Sequence, residues 1–286
     1  MTDAATRPAL TEPAARQGAS EPNSKAASPG ASAPKSGAAP QGGDLVKRHH
    51  WITRAWHWTN AVTVTVLLMS GLMIFNAHPR LYWGAYGANP DPAWLDLTGR
   101  TGRPFPGWAT IPSHYSLSDA RLWHFAFGWL LMAGIAGYLL WSLVSGHLKR
   151  DLAPRKAELA PAHVWADIKD HARLRLPTGT AALRYGILQK LAYGGVLLVL
   201  LPGMILTGLT MSPGMNAAWP WLLELFGGRQ SARSLHFVFA GGLVAFFLVH
   251  IAMVLLAGPF NELRSMLSGW YRLPAERPVT RPAEDA

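Results

Sequence analysis

Residues 233–257 read RSLHFVFAGGLVAFFLVHIAMVLLA. From Leu235 to Ala257 no side chain is acidic or carries a fixed positive charge. About 20 residues of this kind cross ~30 Å of hydrocarbon as a helix. A helix is expected here rather than a strand, because backbone polar groups in lipid must be satisfied within the span. Two residues interrupt the apolar run, His236 and His250. An ionisable side chain at membrane depth is costly and marks function by default. The two are 14 residues apart. At ~100° per residue they lie within about 40° of one face, separated by about 21 Å along the axis. One helix therefore presents the same metal-ligating side chain at two depths.

Three similar runs precede this one: Ile52–Phe75, Leu122–Val144 and Leu188–Met211. The expected fold class is all-α, an integral membrane four-helix bundle embedded in a lipid bilayer. Half of the residues are hydrophobic and only 15% are charged, against about 25% in a soluble domain. Many of the 13 Trp stand near the ends of the runs, at the headgroup level that Trp prefers. Residues 1–43 are rich in Ala, Pro, Ser and Gly and contain no apolar h-region. They read as a disordered cytoplasmic tail and not as a signal peptide. The bundle domain is expected over 44–270, with a cytoplasmic C-terminal tail over 271–286.

The formal charge is +10. The basic residues flank the apolar runs, so the anionic cytoplasmic leaflet accounts for them and nucleic acid is not an expected partner. Lys47, Arg48 and Arg54 border the first run. Nine more Lys and Arg lie between Lys149 and Lys190, but only Arg80, Arg100, Arg103 and Arg121 between the first two runs. This bias places both termini and the middle loop in the cytoplasm of a bacterial inner membrane protein. The segment from Ala77 to Ala120 then faces outward, and its Trp and Tyr content suggests that it folds against the membrane surface. The chain contains no cysteine, so c-type haem attachment, cysteine-held iron–sulfur clusters and thiolate zinc sites are excluded. Any metal must be held by His or oxygen ligands.

With this topology, His57 and His250 share the inner depth, while His124 and His236 share the outer depth. Four histidines form two pairs, which suits two stacked haems b with bis-imidazole ligation. Such ligation leaves no open position and favours electron transfer over oxygen chemistry. Arg54, Arg121 and Arg233 each stand three residues before one of these histidines. On a helix that is the same face, one turn nearer the surface, where an Arg could meet a haem propionate. Acidic residues, the usual components of a proton relay, are absent from all four runs. That weakens the alternative of a haem-free anchor or transporter.

A weak repeat links the two halves. The first run ends Met69-Ser70-Gly71-Leu72 and the third Leu206-Thr207-Gly208-Leu209. Tyr193 takes the place of His57, with an offset of one residue near Pro202, and Tyr138 follows His124 at the distance that His250 follows His236. Gly71, Gly128, Gly134, Gly137, Gly241 and Gly242 suit close helix packing or the approach of a flat macrocycle. Gln189 and Tyr193 have the depth for a quinone carbonyl, although ordinary interfacial roles suit them better. His49, His50, His78, His114, His147, His163 and His171 fall at edges and in loops, where solvent exposure is expected for most.

The Arg54-x-x-His57-Trp58 motif, His124 and the His236-x13-His250 pair resemble the four-helix dihaem cytochrome b superfamily. This group includes the membrane subunits of formate dehydrogenase, nickel–iron hydrogenase and thiosulfate reductase, and the bacterial cytochromes b561. The similarity extends over residues 46–270. It implies haem b, quinone or quinol exchange near the inner haem, and a partner oxidoreductase. The segment His78-Pro79-Arg80-Leu81-Tyr82-Trp83-Gly84 looks most like the thiosulfate-reductase branch, which implies a molybdopterin oxidoreductase on the outer face. A cytochrome b561 that oxidises quinol or superoxide without a partner is the alternative within the same resemblance.

Overall fold

The computed structural model describes residues 40–175 and 177–275. The tail expected over 1–43 therefore lies outside the described residues up to 39, as does the chain beyond 275.

Among the described residues, four helices are long and apolar enough to cross a membrane: Trp51–Asn76, Leu117–Val144, Gly179–Met211 and Arg229–Ala257. The second and fourth begin five and six residues before the apolar runs. Their first turns are polar and are set by caps that hydropathy does not register. Ser116 caps the second span, accepting from the Asp119 amide at 3.3 Å, and Asp119 places a negative charge on the helix N-terminus, where it is favourable. The fourth span starts after Gly228, at φ 109°. The third is broken into segments, with a π-helical stretch at Val196–Leu200 just before Pro202. A π turn admits one extra residue. That residue is the offset between the first and third runs.

The first span packs along the second and the third along the fourth. Midway along the bundle, Leu67, Leu131, Ile135 and Leu201 form a buried cluster, against which Val64, Phe127, Val196 and Leu243 pack. All four spans contribute to this apolar centre. Phe247, Leu248, Val249, Leu255 and Leu256 are exposed on the fourth span, as expected of side chains that meet lipid.

The end of the bundle where the described residues begin and end is closed by short strands. Leu45–Lys47 pairs antiparallel with Trp270–Arg272, and Tyr271 and Leu273 are buried. The domain boundary expected after residue 270 thus falls within a strand. The helix Pro259–Ser268 is tied down by a 3.1 Å ion pair between Arg48 and Glu262. The loop between the second and third spans is pinned by the Lys190–Glu158 ion pair at 2.8 Å and by Asp167, which accepts from the Leu188 amide at 3.1 Å.

At the opposite end, Arg80–Leu81 pairs with Leu95–Asp96, and Leu81 and Tyr82 are buried. The Gly84 carbonyl accepts from the amides of Gln230 and Ser231, both at 3.1 Å. It thereby satisfies donors that the first turn of a helix leaves unpaired. Trp94 Nε1 donates to Ser234 Oγ at 2.9 Å, and Ser234 donates to the Tyr82 carbonyl at 2.6 Å. The segment His78–Gly84 is thus a strap across the start of the fourth span.

Candidate functional site

The four intramembrane histidines form two pairs. The rings of His57 and His250 are 6.3 Å apart between centroids, at the end where the described residues begin and end. Those of His124 and His236 are 6.2 Å apart, at the strap end. Two imidazoles that bind one metal from opposite sides through nitrogens at about 2.0–2.1 Å have ring centres roughly 6 Å apart. Both pairs stand at that separation. Among the described residues no three His, Asp or Glu converge on one ion, so each pair offers two protein ligands. The apolar cluster around Leu67 and Leu131 separates the two pairs.

The surroundings of the pairs differ. His124 Nδ1 lies 3.0 Å from Ser70 Oγ, and His236 Nδ1 lies 2.9 Å from Thr207 Oγ1. The glycine after each hydroxyl residue lets the helix approach the ring. A Cβ on Gly71 would stand 3.3 Å from His124 Cε1, and one on Gly208 would stand 3.4 Å from His236 Cε1. These Ser-Gly and Thr-Gly steps mark the repeat in sequence, but nothing in the sequence alone pointed them at the histidines. At the other pair, His57 Nδ1 is buried without a partner, as are Thr53 Oγ1, Trp56 Nε1 and Asn60 Oδ1. Positions 53, 56, 57 and 60 share one helix face, so unused hydrogen-bonding capacity collects beside His57. Trp56 stacks on Tyr138 at 4.1 Å, and Phe246 stacks on His250 at 5.8 Å. A large flat group with polar edges suits such a lining. Gly128, Gly134, Gly137 and Gly241 have no neighbour within 4 Å of where a Cβ would stand, so helix packing does not account for them.

The three arginines share a spacing but not surroundings. Arg233 donates to the Arg80 carbonyl at 3.0 Å and to the His78 carbonyl. Arg54 donates to the carbonyls of Met266 and Leu267, with Trp58 Nε1 also on Met266 at 3.1 Å. These last carbonyls end a helix and lack intrahelical partners, and a cation there also matches the helix dipole. Both guanidinium groups thus meet backbone carbonyls. They fasten the strap and the C-terminal helix to the spans that carry His236 and His57. Arg121 is exposed, with its guanidinium 5.6 Å from the Phe125 ring.

Gln189 accepts from the Gly186 amide at 3.1 Å and so caps its own helix. Tyr193 packs edge-on to Tyr185 and Phe246. His49, expected at an exposed edge, is only 9% exposed. Burial, with Arg48 beside it, holds its pKa down to about 4. His147 makes a 2.7 Å contact with Asp151.

Comparison with known proteins gives a consistent result. The family model described as prokaryotic cytochrome b561 matches residues 48–269. A protein of Azospira oryzae named as the methionine-sulfoxide reductase subunit YedZ1 is 31% identical over 207 residues, 71% of this chain and 87% of its own length. A Ni/Fe-hydrogenase B-type cytochrome subunit of Azotobacter vinelandii is 24% identical over 79% of this chain and 88% of its own. The corresponding subunit of Cupriavidus necator is 22% identical over 76% and 83%.

Proposed function

Since the chain belongs to the prokaryotic cytochrome b561 family, and is thus an inner-membrane cytochrome that takes haem b, we propose that it is an electron-transfer subunit carrying two such haems. His57 and His250 hold one, and His124 and His236 hold the other. The observation that carries this reading is the pair of His–His separations, 6.3 and 6.2 Å, at opposite ends of one bundle. Haem iron supplies reversible one-electron chemistry when bound. With two imidazoles to hold the iron at each site, the chain would favour electron transfer over oxygen binding. It also surrounds the path with apolar side chains of low dielectric.

The inner site would serve exchange with quinone or quinol, and the outer site exchange with an oxidoreductase docked on the strap face, a molybdopterin enzyme in the leading version. The names of the relatives support an oxidoreductase partner: one is named as a subunit of a methionine-sulfoxide reductase and others as cytochrome subunits of Ni/Fe-hydrogenases. Purified chain in sealed vesicles should show both haems reduced by a quinol and reoxidised by an external acceptor. Reduction by dithionite but not by quinol would overturn the quinone assignment.

The termini are cytoplasmic in this proposal, on the strength of the basic residues beside Lys47 and between Lys149 and Lys190. The natural absence of cysteine makes this easy to test. Tyr86, 90% exposed on the strap side, should react as Tyr86→Cys with an impermeant maleimide in intact spheroplasts. Lys156→Cys, exposed on the opposite side, should react only after lysis. The reverse pattern would invert the topology.

A further inference from the structure

We infer that Ser70 and Thr207 are positioning residues for the ligands of the outer haem alone, each fixing the tautomer and electron donation of one histidine. The inference rests on the ligand assignment proposed above. Each hydroxyl is already committed as a donor to its own helix. Ser70 Oγ donates to the Val66 carbonyl at 2.7 Å, and Thr207 Oγ1 donates to the Gly203 carbonyl at 2.6 Å. The hydroxyl has one proton, so its oxygen faces the imidazole as an acceptor. His124 and His236 must then carry their proton on Nδ1 and leave the Nε2 lone pair free for a metal. An Nδ1–H that donates in this way also makes the ring a more basic ligand.

Two features separate this arrangement from simple capping. It occurs twice, on helices related by the repeat, at 3.0 and 2.9 Å, with a glycine next to each hydroxyl admitting the ring edge. It is also confined to one end, because His57 Nδ1 is buried with no partner. A more basic ligand stabilises ferric over ferrous iron. Losing the hydroxyl should therefore raise the potential of the outer haem and leave the inner one in place.

The test is a redox titration of the purified chain with low-spin ferric EPR, comparing wild type, Ser70→Ala, Thr207→Val and the hydroxyl-retaining Thr207→Ser. The outer component is identified by its loss in His236→Ala. Ser70→Ala and Thr207→Val should each raise the ferrous-to-ferric ratio of the outer haem about tenfold at a fixed ambient potential, equivalent to ~59 mV for one electron. The EPR signal of that haem alone should shift, and Thr207→Ser should behave as wild type. The two sites are read independently, so poor folding of one variant leaves the other decisive. Two haems with unmoved potentials and spectra would overturn this inference alone. Fewer than two haems in wild type would overturn the ligand assignment, and this inference with it.

Discussion

Replacing His250 with Ala should lower the haem content of the purified chain from about two per polypeptide to about one. The reason lies in how the pairs are built. Each His–His pair bridges two spans that are distant in sequence, and among the described residues no third metal-ligating group converges on either pair. A haem that loses one of two imidazoles keeps a single bond to the chain, in a site whose other walls are Trp56, Tyr138 and Phe246. None of these supplies an imidazole. His49, His50 and His147 line a separate cavity of about 370 Å³ with Arg48 and Arg150. His57→Ala should remove the same haem, and His57→Ala with His250→Ala should lose no more than either alone, since the two act as a unit. His124→Ala and His236→Ala should remove the other haem. Pyridine haemochrome against protein concentration, with a redox titration to identify the survivor, reads each outcome. Two haems retained in His250→Ala would remove it from the ligand set, and loss of both would mean that the sites fold as one.

The bundle and the pairing of its histidines were legible because they depend on periodicity. Hydropathy gives the spans, charge bias gives their alternation, and a 14-residue spacing puts His236 and His250 on one face. The surroundings of the sites were less legible, because they depend on contacts between segments far apart in sequence. Arg54 and Arg233 illustrate the limit. Their spacing to His57 and His236 was visible, but their acceptors are backbone carbonyls at Met266, Leu267, His78 and Arg80, and a carbonyl leaves no mark in sequence. Ser70 and Thr207 are an intermediate case. The Ser-Gly and Thr-Gly steps were visible as a repeat, yet only packing of the first span on the second and the third on the fourth brings the hydroxyls to the rings. The offset near Pro202 was visible too, and needed the π turn at Val196–Leu200 to become physical. His49 reads as an edge residue in sequence, but it is buried beside a cavity that it lines with Thr53, His147, Tyr185 and Lys190, residues far apart along the chain.

Gly228→Ala should be the most destabilising of the single methyl additions at the strap, at a cost on the order of 3 kcal/mol. Two independent penalties add. Gly228 has φ 109°, a conformation that costs a residue with a Cβ about 1–3 kcal/mol. The new methyl would also stand 2.6 Å from both the Gly84 carbonyl oxygen and Ala85 Cα. Those are backbone atoms, so no side chain can rotate aside, and overpacking of this kind costs about 1–3 kcal/mol. The strap cannot retreat freely either. The same Gly84 carbonyl caps the amides of Gln230 and Ser231, and the Gly84 amide donates to Ser231 Oγ at 2.7 Å. Making room for the methyl breaks the start of the fourth span, two turns before His236. Gly214→Ala is the matched control, because a Cβ there meets nothing within 4 Å and its φ is not positive. Gly228→Ala should therefore lower the thermal midpoint in detergent by several degrees, and Gly214→Ala should leave it nearly unchanged. The exposed Arg100 should become a faster trypsin site in the first variant only. If the two variants melt together and are cut alike, the strap is not clamped to the fourth span as described. If Gly228→Ala melts early but keeps both haems and their potentials, the strap stabilises the bundle without shaping the site around His236.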